Sequence, residues 1–219
     1  MENKEIKKID ENVIMKTLNW AYDKAVNGVP GMSTAQQLAQ EFLNDETNGI
    51  NESERIYNAA NSLIRWQNAK AATTGFVTGL GGLLTLPVTI PANLGCVFYI
   101  QLRMIAAIAH MGGYNVKDDK VQTLAYVCLT GSASAEILKQ ISIKIGNKMA
   151  ETMLKNMSRS VIAEINKKVG FRLLTKFGEK GIINLGKAIP VVGGLISGTL
   201  DAVETNTIGN VARDQFIKH

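Results

Sequence analysis

From Ala71 to Leu102 the chain runs thirty-two residues without a charged side chain, bounded by Lys70 and Arg103. A stretch of that length and character has to be hidden from water by protein or by lipid. It is not built as one straight span. Pro87 and Pro91 each remove a backbone donor, and Gly79, Gly81 and Gly82 lower helix propensity in the same half. The pattern predicts a helical turn, a break from Leu86 to Pro91, and a second helix from about Ala92 to His110. Gly75-x-x-x-Gly79 offers a small face for close helix approach. Gly194-x-x-x-Gly198 repeats it inside Ala188 to Leu200, a second charge-free stretch with a proline and glycines. The expectation is that these two apolar regions pack together.

The rest of the chain reads as helix. Ile14, Leu18, Ala21 and Ala25 recur at helical spacing, and Gly28-Val-Pro-Gly31 closes that helix. Ser33-Thr-Ala-Gln36 has the capping-box form ahead of a short helix through Leu38 and Phe42. After a polar loop over residues 44–51, Asn51 or Ser53 can cap a helix that carries Ile56, Ala60, Leu63 and Gln67 on one face. Alternating β-branched runs bounded by turn pairs are missing from the sequence, so the expected fold class is all-α. With 46% hydrophobic and 20% charged residues over 219 positions, the chain can bury a substantial core.

The net charge of +5 is unevenly spread. Residues 1–138 carry −2, residues 139–187 carry +8 from eleven basic and three acidic side chains, and residues 188–219 carry −1. From Ile141 to Lys168 the pattern predicts an amphipathic helix. Its apolar stripe is Ala150, Met153, Leu154, Met157, Val161 and Ile165, and its cationic face is Lys144, Lys148, Lys155 and Arg159. Two readings stand: the stripe packs into the core under a solvated basic face, or the helix adsorbs to anionic lipid. Gly170-Phe-Arg-Leu-Leu-Thr-Lys-Phe177 has the aromatic and basic mix of interfacial helices. No helix-turn-helix or RNA-binding motif accompanies the basic segment, and aromatics are only 6%, so nucleic acid is not the expected partner.

Arg103 interrupts an apolar helix, with Tyr99 on its own face. A buried guanidinium needs a carboxylate or several carbonyls, because an unpaired buried charge costs several kcal/mol. Glu136, Asp201 and Glu204, each in apolar context, are the candidate partners. A buried ion pair that fixes helix register is expected, with an anion site for a lipid headgroup as the alternative. On the ion-pair reading Arg103→Leu destabilises strongly.

Nothing points to catalysis. Of two histidines, His219 is terminal and His110 sits where an imidazole helps close a helix C-terminus. Cys96 and Cys128 lie in apolar stretches and read as buried small hydrophobes in a reducing compartment, without metal-ligand spacing. The clustered glycines lack a following Gly-Lys-Ser/Thr, so no phosphate loop is formed. Asp118-Asp119 reads as a helix N-terminal signal. No catalytic residue, metal or cofactor is expected. The mixed-charge N-terminus has no apolar export region, which points to the cytoplasm.

The run Thr74-Gly-Phe-Val-Thr-Gly-Leu-Gly-Gly-Leu-Leu-Thr-Leu-Pro-Val-Thr-Ile-Pro-Ala-Asn93, followed by Tyr99-Ile-Gln-Leu-Arg-Met-Ile-Ala-Ala-Ile-Ala109, resembles the bacterial EcsC family. The likeness extends to Val169-Gly-Phe-Arg-Leu-Leu-Thr-Lys-Phe-Gly-Glu-Lys-Gly181 and Ala188-Ile-Pro-Val-Val-Gly-Gly194, and covers roughly residues 15–212. It implies one helical domain over 1–219, of cytoplasmic or membrane-surface location, with no catalytic residues to carry over. Within it, 1–50 supply N-terminal helices, 51–138 apolar core hairpins, 139–187 basic helices, and 188–219 a C-terminal apolar hairpin and tail. The family is named for a gene that neighbours an ABC transporter. The expected function is therefore that of a non-enzymatic interaction protein, peripheral to the inner face of the cell membrane, bound to anionic lipid or to a membrane protein complex such as an ABC transporter. The alternative is a soluble carrier holding a hydrophobic or lipid-like ligand in an apolar interior. The small-residue faces suit packing between chains as well as within one, so an oligomer is open.

Overall fold

The structure is a computed structural model that describes residues 9–45, 51–71, 87, 90, 92–140, 154–155, 157–177 and 202–217. Among the described residues the regular structure is α-helical, apart from short 3-10 and bridge elements. The fold is all-α, as the periodicity predicts.

Helix α1, Glu11–Asn27, opens on Asp10, whose carboxylate accepts from the Val13 N–H at 2.8 Å. It closes at Gly28, where φ of 90° lets the N–H return to the Lys24 carbonyl. Ile14, Leu18, Ala21 and Ala25 are all buried. A turn follows in which Met32 N–H donates to Val29 O at 3.1 Å, with Pro30 second and Gly31, at φ 81°, third. Helix α2, Ala35–Asp45, does carry a reciprocal capping box, but one residue later than expected. The Thr34 N–H donates to Gln37 Oε1 at 2.8 Å and the Gln37 N–H to Thr34 Oγ1 at 3.1 Å. Ser33 instead turns its hydroxyl to Glu41 Oε1 at 2.8 Å.

Helix α3, Glu52–Ala71, is capped by Asn51, which accepts from Glu54 N–H at 2.9 Å. Of the expected break, Pro87 and Ile90 are not helical, with Ile90 N–H bonded to the Pro87 carbonyl ahead of α4, Ala92–Met111; the rest of the break and the turn before it lie outside the described residues. Helix α5, Asp119–Leu129, takes Asp118 as its N-cap, then a 3-10 turn at Gly131–Ala133 leads into α6, Ser134–Gln140. Helix α7 is Arg159–Phe177 and α8 is Ala202–Phe216.

Helix α4 is the axis of the core. Its Leu94–Met111 stretch is long and apolar enough to cross a membrane, with a mean hydropathy of 1.5, yet 94% of it is buried inside the protein. A helix apolar on every side needs neighbours on every side. Helices α1, α2, α3, α5 and α8 all pack on it. Helix α8 runs antiparallel to α3, joined by Asn206–Asn68 and Arg213–Asn61, and parallel to α4, joined by Thr205–Gln101 and by Phe216 against Gly112.

One expectation is corrected. A continuous helix from Ile141 to Lys168 does not form, because Met157 and Ser158 are not helical. Ser158 starts α7 afresh: its hydroxyl accepts from Val161 N–H at 3.3 Å and its carbonyl from Ile162 N–H at 3.0 Å. Helix α7 then continues past Lys168, with Gly170 laid so close to α1 that an added Cβ would meet Glu11 Cγ at 3.0 Å. The glycine pairs at Gly75, Gly79, Gly194 and Gly198, and their expected packing, lie outside the described residues.

The end of α4 yields a sharp contrast. A Cβ at Gly112 would sit 2.1 Å from the Phe216 carbonyl oxygen, while one at Gly113 would meet nothing within 4 Å, although φ there is +84°. Gly112→Ala is expected to cost about 1–3 kcal/mol by forcing α8 off α4. Gly113→Asn should cost about 1 kcal/mol or less, since asparagine tolerates the left-handed region. Urea denaturation of both variants checks this, and equal stabilities would refute the close-approach account.

Candidate functional site

Arg103 is 4% exposed, in the middle of α4. Two of its three expected partners are elsewhere. Glu136 is exposed on α6, Glu204 on α8 forms an ion pair with Lys176, and Asp201 lies outside the described residues. The buried ion pair is therefore not made with Glu136 or Glu204. The guanidinium meets the entry to α2: Nη1 donates to the Ser33 carbonyl, at a long 3.4 Å, and the charge lies 5.6 Å from the centre of the Tyr99 ring. Nε is buried with no hydrogen-bond partner. The Tyr99 hydroxyl faces Met32 Sδ at 3.7 Å. Burial pushes the Tyr99 phenol up in pKa, and the adjacent Arg103 charge pulls it back.

A second cation is close in the electrostatic sense. Lys70, at the end of α3, lies 3.8 Å over the Trp66 ring. Burial lowers its ammonium pKa first, the Arg103 charge lowers it further, and Glu41 opposes both. Above this group, Met32, Ser33, Gln36, Gln40 and Glu41 line an open depression of about 580 Å³ on α2. The sequence shows that Arg103 needs a counter-charge. It does not show that Ser33, seventy residues away, arrives instead.

Another buried polar group joins α4 to α8. The Gln101 amide donates to Thr205 Oγ1 at 2.9 Å, while Gln101 Oε1 and both amide atoms of the buried Gln67 find no partner. The helix registers set by Asn68–Asn206 and Gln101–Thr205 put Gln67 at the same level. Glutamines on otherwise apolar faces were the visible signal for this layer.

The basic surface is centred on α7. This helix buries Ile165, Val169 and Leu173, and turns Lys167, Phe171, Arg172 and Lys176 outward. Phe171 is 61% exposed. A groove of about 510 Å³ runs between α7 and α8, with Arg172 and Lys176 on one wall and Val203, 72% exposed, on the other. Lys155 and Arg159 of the expected cationic face are exposed, and Lys144 and Lys148 lie outside the described residues. Beside α4, the space between Val97, Phe98, Leu129, Phe177 and Ile208 is only about 10 Å³, too small for an acyl chain.

The model of the EcsC protein family matches residues 2–218, and the chain belongs to that family. No curated protein and no solved structure matches it.

Cys96 and Cys128 are both buried free thiols, and burial raises the pKa of each by disfavouring the thiolate. A thiol reagent at pH 8 is therefore expected to leave both unreacted in the folded protein and to titrate two after denaturation. Rapid native labelling of either would contradict their packing in the core.

Proposed function

We propose that this member of the EcsC family is a non-enzymatic protein that attaches peripherally to the inner face of the cell membrane, with α7 as its contact element. The observation that supports this most directly is Phe171. A helix that buries its own apolar stripe against α1 and α5 leaves one large aromatic in water, one turn from Lys167 and next to Arg172. The face belongs to the segment of 139–187, which carries +8.

An aromatic side chain that enters the acyl boundary while basic neighbours stay among anionic headgroups is the physical recipe for interfacial binding. Each Lys or Arg near an anionic surface adds about 1 kcal/mol. Burying the Phe171 ring adds about 1.5–3 kcal/mol. Val203 stands across the groove from Arg172 and Lys176, and extends the apolar part of the same surface. Two of the basic groups are already tied on the surface: Lys168 reaches Glu164 at 4.0 Å and Lys176 pairs with Glu204. Lys167 and Arg172 are thus the cations on which anionic lipid gains most.

Vesicle co-sedimentation tests this. The full chain is expected to pellet with phosphatidylglycerol-containing vesicles and not with phosphatidylcholine alone, and to be released by salt. Phe171→Ser should weaken that binding roughly tenfold, from the lost burial of one ring. Being exposed, the substitution should leave stability within about 0.5 kcal/mol. Equal binding to neutral vesicles, or full binding by the Phe171 variant, would remove the assignment of this face.

A further inference from the structure

We propose that Arg103 is the recognition cation of an oxyanion site of the phosphate class, placed beneath the Met32–Ser33 end of the depression on α2. The argument starts from charge. A guanidinium stays protonated in a protein interior, and Arg103 is 4% exposed. A charge so placed costs several kcal/mol unless it is compensated. Its compensation among the described residues is one carbonyl at 3.4 Å and Tyr99, by its ring face and its hydroxyl oxygen. No carboxylate among the described residues lies within ion-pair distance, and Nε is left without any partner. The fork of donors suited to two oxygens of one anion is therefore largely unused.

The surroundings fit a group with several acceptor oxygens. Lys70 feels the Arg103 charge and adds a second positive centre. Glu41 is the carboxylate on the wall of the depression, and one of its oxygens is taken by the Ser33 hydroxyl. Gln36 and Gln40 line the same depression and carry amide donors. Met32 and Ser33, which line it too, are the residues that touch Tyr99 and Arg103. Ser33 thus joins the depression to the guanidinium, through the carbonyl that Arg103 reaches. Free phosphate and a phospholipid headgroup share this chemistry. The site uses none of the α7 residues, so it stands or falls apart from the membrane-contact reading.

The test needs no vesicles. Thermal unfolding of the full chain is followed at constant ionic strength while chloride is replaced by inorganic phosphate, and separately with dioctanoyl phosphatidic acid kept below its micelle concentration. Anion binding to the folded state should raise Tm along a saturating curve, by about 3–6 °C when phosphate is tenfold above its Kd. A response to phosphate assigns the free ion, and a response confined to the lipid assigns the headgroup. Either carries the proposal.

Arg103→Met keeps the aliphatic stem and removes the charge. It should unfold at or above the wild-type temperature without anion, and lose the anion response. Phosphate also stabilises proteins generally by exclusion from their surface, so the difference between the two proteins is what is read. An equal rise in Arg103→Met, or no rise with either probe in the wild type, overturns the site. Should the Met variant not fold, Arg103→Lys decides: it keeps the charge without the fork, and its response must be smaller than that of the wild type.

Discussion

The constraint on which the rest of this fold depends is the burial of α4. Ile100, Leu102, Met104, Ile105 and Ile108 point in different directions around one helix, and all are buried. No single partner can cover such a helix. At roughly 1.5–3 kcal/mol per large side chain, exposing even one side of it would cost an amount comparable with the net stability of an ordinary domain. The jacket of α1, α2, α3, α5 and α8 follows from that requirement. So does the return of α8 to the end of α4, where a glycine lets the Phe216 backbone approach.

A purely apolar axis would leave the register of its neighbours loosely defined, since apolar contacts lack direction. The polar groups on α4 supply direction. Gln101 meets Thr205 of α8, and Arg103 meets the Ser33 carbonyl at the start of α2. At the ends of the jacket Tyr22 on α1 reaches across to the Val116 carbonyl at 2.9 Å, with its ring edge-on to Tyr126 of α5 at 5.9 Å. Sliding any of these helices by one turn would bury an orphaned polar atom, at about 1–3 kcal/mol each.

What the sequence made legible was the local part of this. Periodicity located α1 to α4, the prolines located the break before α4, and Asn51 and Asp118 declared helix starts through their own side chains. The errors were local competitions and distant encounters. At α2 two adjacent hydroxyls each had a glutamine three residues on, and Thr34 won the cap while Ser33 bonded Glu41. At α7 the apolar periodicity of the sequence ran on through Ser158, whose hydroxyl caps a fresh helix start. The partner of Arg103 was out of reach for a different reason. Charge chemistry says what a buried guanidinium needs, whereas which backbone passes beside it is settled by the packing of α2 on α4. The exposed basic surface was half legible: Phe171, Arg172 and Lys176 stood out as an interfacial string, but their exposure depends on how α7 rotates against α1.

The two cationic features differ in physics, and that difference separates their roles. Lys167 and Arg172 are solvated, so their attraction to an anionic surface is shared with counterions and weakens within a Debye length of about 8 Å at physiological salt. Such cations are inexpensive to keep and serve collectively, through number and through the aromatic ring beside them. Arg103 is buried and shielded from counterions by protein, so its field is less screened and its desolvation is already spent in the folded state. A group placed that way acts through geometry, because a ligand must fit the guanidinium fork to recover the lost solvation. Salt should accordingly divide them. On the proposed readings, contact made by α7 should fade as ionic strength rises, while an oxyanion held at Arg103 should persist into salt concentrations where the surface contact is gone.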